Sequence, residues 1–191
     1  INFSLVIFPY SNFTIMDNKI QKQITLWLTS AFLLIFLMVI IGGITRLTHS
    51  GLSIVEWHPI SGIIPPISDT AWQEEFTKYQ QFPEYQKINQ QMTLDEFKFI
   101  FFWEYIHRLI GRLLGILFIL PFAYFYIKKK LKPPLIKKLL FMFFLGGLQG
   151  LYGWYMVQSG LIDNPHVSHY RLAGHLVLAF GLIAYILYTA L

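Results

Sequence analysis

Four uninterrupted apolar runs, at residues 24–45, 99–127, 139–158 and 172–191, constrain this chain more than any other feature. A helix needs about 20 apolar residues to cross a bilayer core, and each run is long enough. The runs are continuous rather than alternating, which argues against the strands of a membrane barrel. Composition agrees. The chain is 55% hydrophobic and only 13% charged, where a soluble domain carries about a quarter charged residues. The expected fold class is an all-α membrane protein, a four-transmembrane-helix bundle. With no cysteine in the sequence, disulfides, thiolate ligands and cysteine nucleophiles are excluded.

Charge in the connections sets the expected orientation. The segment KKKLKPPLIKK between the second and third runs carries six lysines and no acid, and Lys19 and Lys22 precede the first run. Both should face the cytoplasm or the mitochondrial matrix. A pI near 9.3 would suit nucleic-acid binding, but the positive charge is concentrated in this one loop, so no nucleic-acid partner is expected. The long connection 47–98 holds seven acids and three lysines and should lie outside. Residues 1–22 read as an N-terminal cytoplasmic segment, with Met16 as a candidate natural start. Residues 23–191 read as the four-helix unit, with 47–98 as its extracytoplasmic loop. Pro133-Pro134 should break any helix between spans two and three. Within 70–98, short amphipathic helices should cover the mouth of the bundle, with Trp72, Phe76 and Tyr79 turned to the membrane or a ligand edge. Thr93 and Glu96 have the spacing of a capping box. The last run continues to Leu191 without a polar exit, so the chain is expected to be part of a longer protein.

The second run contains WEYIHRLIGR, with Glu104, His107, Arg108 and Arg112 at membrane depth. A helix turns about 100° per residue. Glu104, His107, Arg108, Arg112, Gly111 and Gly115 therefore share one side, while Phe102, Ile106, Leu109 and Leu113 suit lipid. Charged groups at such depth face a bundle interior or a cavity. One reading is structural: a Glu104–Arg108 ion pair at i, i+4 with His107 bonding between helices. The fourth run, with RLAGHLVLAF, adds His175 at a comparable depth on a helix running the same way. Two such histidines facing a glycine-lined interior form a bis-imidazole site for a haem iron. Zinc fits less well, since it takes a third protein ligand. Arg46 and Arg171, at the outer ends of spans one and four, suit the haem propionates. Gly146, Gly150 and Gly153 line one face of span three, for helix packing or for a flat ligand. Ser50-Gly51-Leu52 and Ser159-Gly160-Leu161 recur after spans one and three and hint at a helix-hairpin duplication. His49, His58, His166 and His169 read as solvated loop residues; Glu56 reads as a loop acid or, alternatively, as a substrate or proton-path residue.

GGITRLTHSGLSIVEWHP, WQEEFTKYQQFPEYQKINQQMTLDEFKFIFFWEYIHRLIGR and GLQGLYGWYMVQSGL with VSHYRLAGHL closely resemble the haem A synthases, in particular the mitochondrial and proteobacterial branch. The resemblance runs from about Gly42 to the C-terminus. It implies an eight-helix protein in two pseudo-symmetric halves, of which this chain is the N-terminal half, the C-terminal half being absent. It implies oxidation of the C8 methyl of haem O to the formyl of haem A, destined for cytochrome oxidase, in a bacterial inner membrane or the mitochondrial inner membrane. By motif, the axial pair is His107 and His175, and the catalytic glutamate is Glu104. Arg46, Arg108 and Arg171 are the accompanying haem-binding residues. The resemblance also implies haem O as substrate in this half and a haem b cofactor in the other. Further partners would be the missing half, membrane lipid, haem O synthase and assembly factors of cytochrome oxidase. A b-type bis-histidine electron-transfer cytochrome and a haem-free membrane scaffold are the competing functions.

Overall fold

The computed structural model describes residues 18–56, 61–162 and 164–191; Met16 and His58 lie outside them. The described residues form helices joined by loops, with no strand among them. The helices are α1 (Asn18–Leu47), α2 (Asp69–Tyr79), α3 (Pro83–Lys87), α4 (Leu94–Ile127), α5 (Pro133–Leu161) and α6 (His169–Ala190), with one 3-10 turn at Ser61–Ile63. Four of them, α1, α4, α5 and α6, are long and apolar enough to cross a membrane. Each extends past its apolar run. The 34 residues of α4 rise about 51 Å, well beyond a hydrocarbon core of about 30 Å.

Local chemistry explains the helix ends. Thr93 and Glu96 close the expected capping box: the Thr93 amide donates to Glu96 Oε2 at 2.7 Å and the Glu96 amide to Thr93 Oγ1 at 3.4 Å. Ser68 caps α2 by accepting from the Ala71 amide. Pro133 and Pro134 occupy the first turn of α5, where a missing N–H costs nothing. The lysine cluster is therefore divided, and Lys137 and Lys138 already belong to α5. Residues 18–22 likewise belong to α1 rather than to a separate segment.

The bundle order follows from packing. Helix α1 lies against both α4 and α6, α5 lies along α6, and α4 and α5 touch at few points. At the lysine-rich end the interior is solid: Trp27, Leu28 and Ile35 of α1 meet Phe118 and Phe125 of α4, Leu139 and Met142 of α5, and Leu182 and Ile186 of α6. Pro121 lies within α4, and having no N–H it leaves the Leu117 carbonyl without its helical donor. The Trp27 indole N–H supplies the missing bond from α1, at 3.0 Å. The Trp27 ring also packs on Phe118 and Phe125.

At the opposite end α2 and α3 form the expected cover. Its aromatics do not turn to lipid, however. Phe76 and Tyr79 are buried on Phe97 of α4, with ring centroids 5.1 and 5.2 Å apart, and Trp72 meets Phe101 edge-on. Apolar burial against the top of α4 outcompetes exposure to the interface. Under this cover Tyr79 Oη donates to Glu84 at 3.1 Å and accepts from Asn89 Nδ2 at 2.8 Å. Burial pushes the Glu84 carboxyl up to about 7. Outward-facing Leu33, Phe36, Phe102 and Leu113 form the apolar exterior of the spans.

Candidate functional site

Between the solid core and the cover lies the level of the two histidines. His107 projects from α4 beside Gly42 of α1, where an added Cβ would come 3.2 Å from His107 Nε2. His175 of α6 sits beside Gly153 of α5, where an added Cβ would come 3.0 Å from its Cε1. The Tyr152 ring stacks parallel to the His175 imidazole with centroids 6.3 Å apart. Tyr152 can pass α6 because residue 174 is glycine: a Cβ there would collide with Tyr152 Oη. His107 and His175 are thus both half-buried rings, each seated beside a glycine of a neighbouring helix.

Gln149 of α5, not singled out from the sequence, reaches the same place. Its Nε2 lies 3.1 Å from the His175 carbonyl and 3.3 Å from His175 Nε2. Gln149 Oε1 and His175 Nδ1 are buried with no hydrogen-bond partner. Span three does not use all its glycines for packing. At Gly146 and Gly150 an added Cβ would meet nothing within 4 Å, as at Gly115 of α4. Open space at the glycines of α4 and α5, two helices that scarcely touch, suits a flat ligand better than close helix contact.

Glu104 is buried at 3% exposure and turned toward the loop after α1. It accepts from Arg108 Nη2 at 2.6 Å, Ser53 Oγ at 2.7 Å and the Ile54 amide at 2.8 Å. Arg108 Nη2 donates also to the Ile54 carbonyl at 2.9 Å. Together the pair clamps residues 53 and 54 onto α4. These three donors leave one lone-pair direction free on Oε1. Arg108, expected beside the ligand, is thus taken up by Glu104 and the loop. Ser53 and Ser50 are fully buried, and Leu52 packs against Gly160, so the two Ser-Gly-Leu segments meet at the top of the bundle.

At the loop end of α1 a cleft of about 590 Å³ is lined by Arg46, His49, Ser159, Asn164, His166 and His169. Among the described residues none of its lining side chains is a carboxylate, and the Arg46 cation with the hydrogen-bond donors suits an anion. The three loop histidines, dispersed in sequence, converge here because α1 and α6 are neighbours. Arg171 lies beside this region with its guanidinium 3.8 Å from the centre of the Tyr155 ring and Nη1 donating to the Tyr155 carbonyl at 2.8 Å. On the other side of the cover, Glu56, Glu74, Tyr105, Arg108 and Arg112 line a second cavity of about 220 Å³. Glu56 also pairs with Lys78 at 3.0 Å, as a loop acid would. Among the described residues no group of three or more histidine or acidic side chains could hold a metal ion. A pair of imidazoles is the donor set a haem iron takes, and the two glycine notches, open space and orphaned polar atoms fit that group.

Comparison with known proteins agrees in kind. The family model described as cytochrome oxidase assembly protein matches residues 25–191. The chain is 56% identical over 172 residues to the Heme A synthase of Nitrosospira multiformis, covering 90% of the chain and 48% of that protein. It is 52% identical over 175 residues to the Heme A synthase of Flavobacterium johnsoniae, covering 91% and 51%. To that of Rickettsia bellii it is 53% identical over 159 residues, covering 83% and 47%. The chain spans about half the length of the curated relatives it matches. No solved structure matches it.

Proposed function

The chain belongs to the cytochrome oxidase assembly protein family, and from that premise we propose that it forms the haem-substrate half of a haem A synthase. In this reading it holds haem O while the C8 methyl is oxidised to the formyl group of haem A. His107 and His175 would hold the iron. The observation that supports the reading is that each imidazole sits in a glycine notch, between a solid core and an aromatic cover. When bound, the iron would supply the ligation that anchors the substrate to these two residues. Arg46 in the anion-suited cleft and Arg171 beside it bind the propionates, at the end of the bundle where these groups reach water. The haem b that relays electrons belongs to the other half of the whole protein. The lysine-rich end faces the cytoplasm or matrix, by the lysine bias of its short loop.

Glu104 lies one helical turn from His107. Three donors fix its position, and in this reading its part in the oxidation is to steady positive charge developing at the ring edge. Arg108 acts on the ligand indirectly, by holding Glu104 and the loop.

The test is haem extraction and chromatography from the whole protein supplied with haem O. The active protein should yield haem A or a hydroxylated haem O. Recovery of unmodified haem b alone would favour the electron-transfer cytochrome, and absence of any Soret band would favour the scaffold. Glu104→Gln and Arg108→Gln both open the clamp, but only Glu104→Gln removes the carboxylate. Loss of haem A in the first variant with retained haem loading, and its survival in the second, is the expected pattern. Normal haem A yield from Glu104→Gln would overturn the catalytic role.

A further inference from the structure

We propose that Gln149 is a built-in plug on the coordination position of His175, holding that imidazole ready when the site is empty and yielding to an arriving haem iron. The proposal rests on the reading of His175 as an iron ligand, and it explains how a half-site of this kind binds and then releases its haem. The argument begins with a carbonyl. The His175 backbone oxygen can only accept, so the amide end 3.1 Å away must be the NH2 of Gln149. The second N–H of that group then addresses His175 Nε2 at 3.3 Å. The ring nitrogen must accept, which puts the ring proton on Nδ1. This is the tautomer whose Nε2 lone pair is available to a metal. Gln149 therefore keeps the ring in the state that coordination requires.

The amide also stands in the metal's place. A metal–imidazole bond is about 2 Å long, so an amide nitrogen on the same lone pair at 3.3 Å falls only about 1 Å beyond the metal. Both cannot be present, and haem binding must displace Gln149. Displacement is easy for three reasons. The bond to Nε2 is long. Gln149 Oε1 has no donor in its buried position. Open space flanks the residue at Gly146 and Gly150. Meanwhile Gly153, one turn further along α5, keeps the flank of the ring in place. A permanently held cofactor has no use for such a competitor. A substrate site does, because an amide that returns to Nε2 as the iron leaves compensates for part of the lost axial bond and speeds release.

The experiment measures haem loss. The whole protein, in nanodiscs and loaded with haem b, is mixed with excess apomyoglobin, and transfer is followed in the Soret band. The relevant kinetic phase is the one removed by His175→Ala. Gln149→Leu keeps the volume without the hydrogen bonds, and Gln149→Asn keeps the amide one methylene too short to span both acceptors. Both variants should retain the low-spin spectrum and release haem about three- to tenfold more slowly, as the loss of one competing hydrogen bond implies. Should the leucine variant load poorly, the asparagine variant decides. Unchanged or faster release with an unchanged spectrum would overturn the plug and leave the ligand reading standing. A His175→Ala protein with wild-type spectrum and kinetics would instead remove the ligand reading itself.

Discussion

The Glu104 clamp offers the sharpest perturbation outside the ligand. Glu104→Gln preserves shape but replaces one carboxylate oxygen with an NH2. If that NH2 faces Ser53 and Ile54, two donors meet a donor. If it faces Arg108, the guanidinium keeps only carbonyl partners for its charge. The side chains are 4% and 17% exposed, so water does little to compensate either arrangement. Removing one partner of a buried ion pair costs about 3–5 kcal/mol, and one power of ten corresponds to about 1.4 kcal/mol. Local opening of residues 53 and 54 should become at least about a hundredfold more frequent. Hydrogen exchange reads this at the Ile54 amide, whose bond goes to Glu104 Oε2. Its exchange should quicken by that factor, while amides around Leu28 in the opposite core stay unchanged. The double variant with Arg108→Gln should cost less than the sum of the singles, because both remove the same pair. An Ile54 amide that exchanges at the wild-type rate in Glu104→Gln would refute the clamp.

Three further outcomes follow from particular contacts. Trp27→Phe keeps the ring packing but leaves the Leu117 carbonyl beside Pro121 without a donor, so stability should fall by about 1–3 kcal/mol in micelle denaturation; an unchanged midpoint would count against the bond. Gly153→Ala should displace His175 and weaken haem loading, whereas Gly146→Ala, with nothing within 4 Å of its Cβ, should load normally; equal behaviour in titrations would remove the notch argument. Glu84 has a folded value of about 7 against 4.5 in the free side chain, so the folded cover binds the extra proton between those values. Its stability should be highest below about pH 4.5 and decline as pH rises toward 7. Exchange in 76–89 measured against pH should show this slope, and Glu84→Gln should flatten it; a wild-type slope of the opposite sign would contradict it.

Residues acting through local pattern were legible in the sequence. The four spans announce themselves by continuous apolarity, the start of α4 by Thr93 and Glu96, and the Glu104–Arg108 pair by its i, i+4 spacing. That His107 and His175 lie on two spans running the same way was legible from the order of the apolar runs. Contacts that depend on which helices are neighbours were not. Trp27 and Leu117 are 90 residues apart, and nothing around Pro121 says which donor replaces its N–H. Gln149 sits in a glycine-rich stretch that reads as packing until α5 is placed against α6. His49, His166 and His169 read as solvated singly and gather only when the ends of α1 and α6 adjoin. The aromatics of α2 have amphipathic spacing that suits a membrane surface or a protein surface equally, and Phe97 and Phe101 decide between them.

The ligation state of bound haem tests the central claim most directly. Protein loaded with haem b in nanodiscs, its other haem accounted for by a His107→Ala/His175→Ala control, should show the electron paramagnetic resonance of low-spin ferric iron with two imidazole ligands. Each single variant, His107→Ala or His175→Ala, should convert that signal to five-coordinate high-spin iron. A low-spin bis-imidazole signal that survives both single substitutions would contradict a haem held between α4 and α6 by these two histidines.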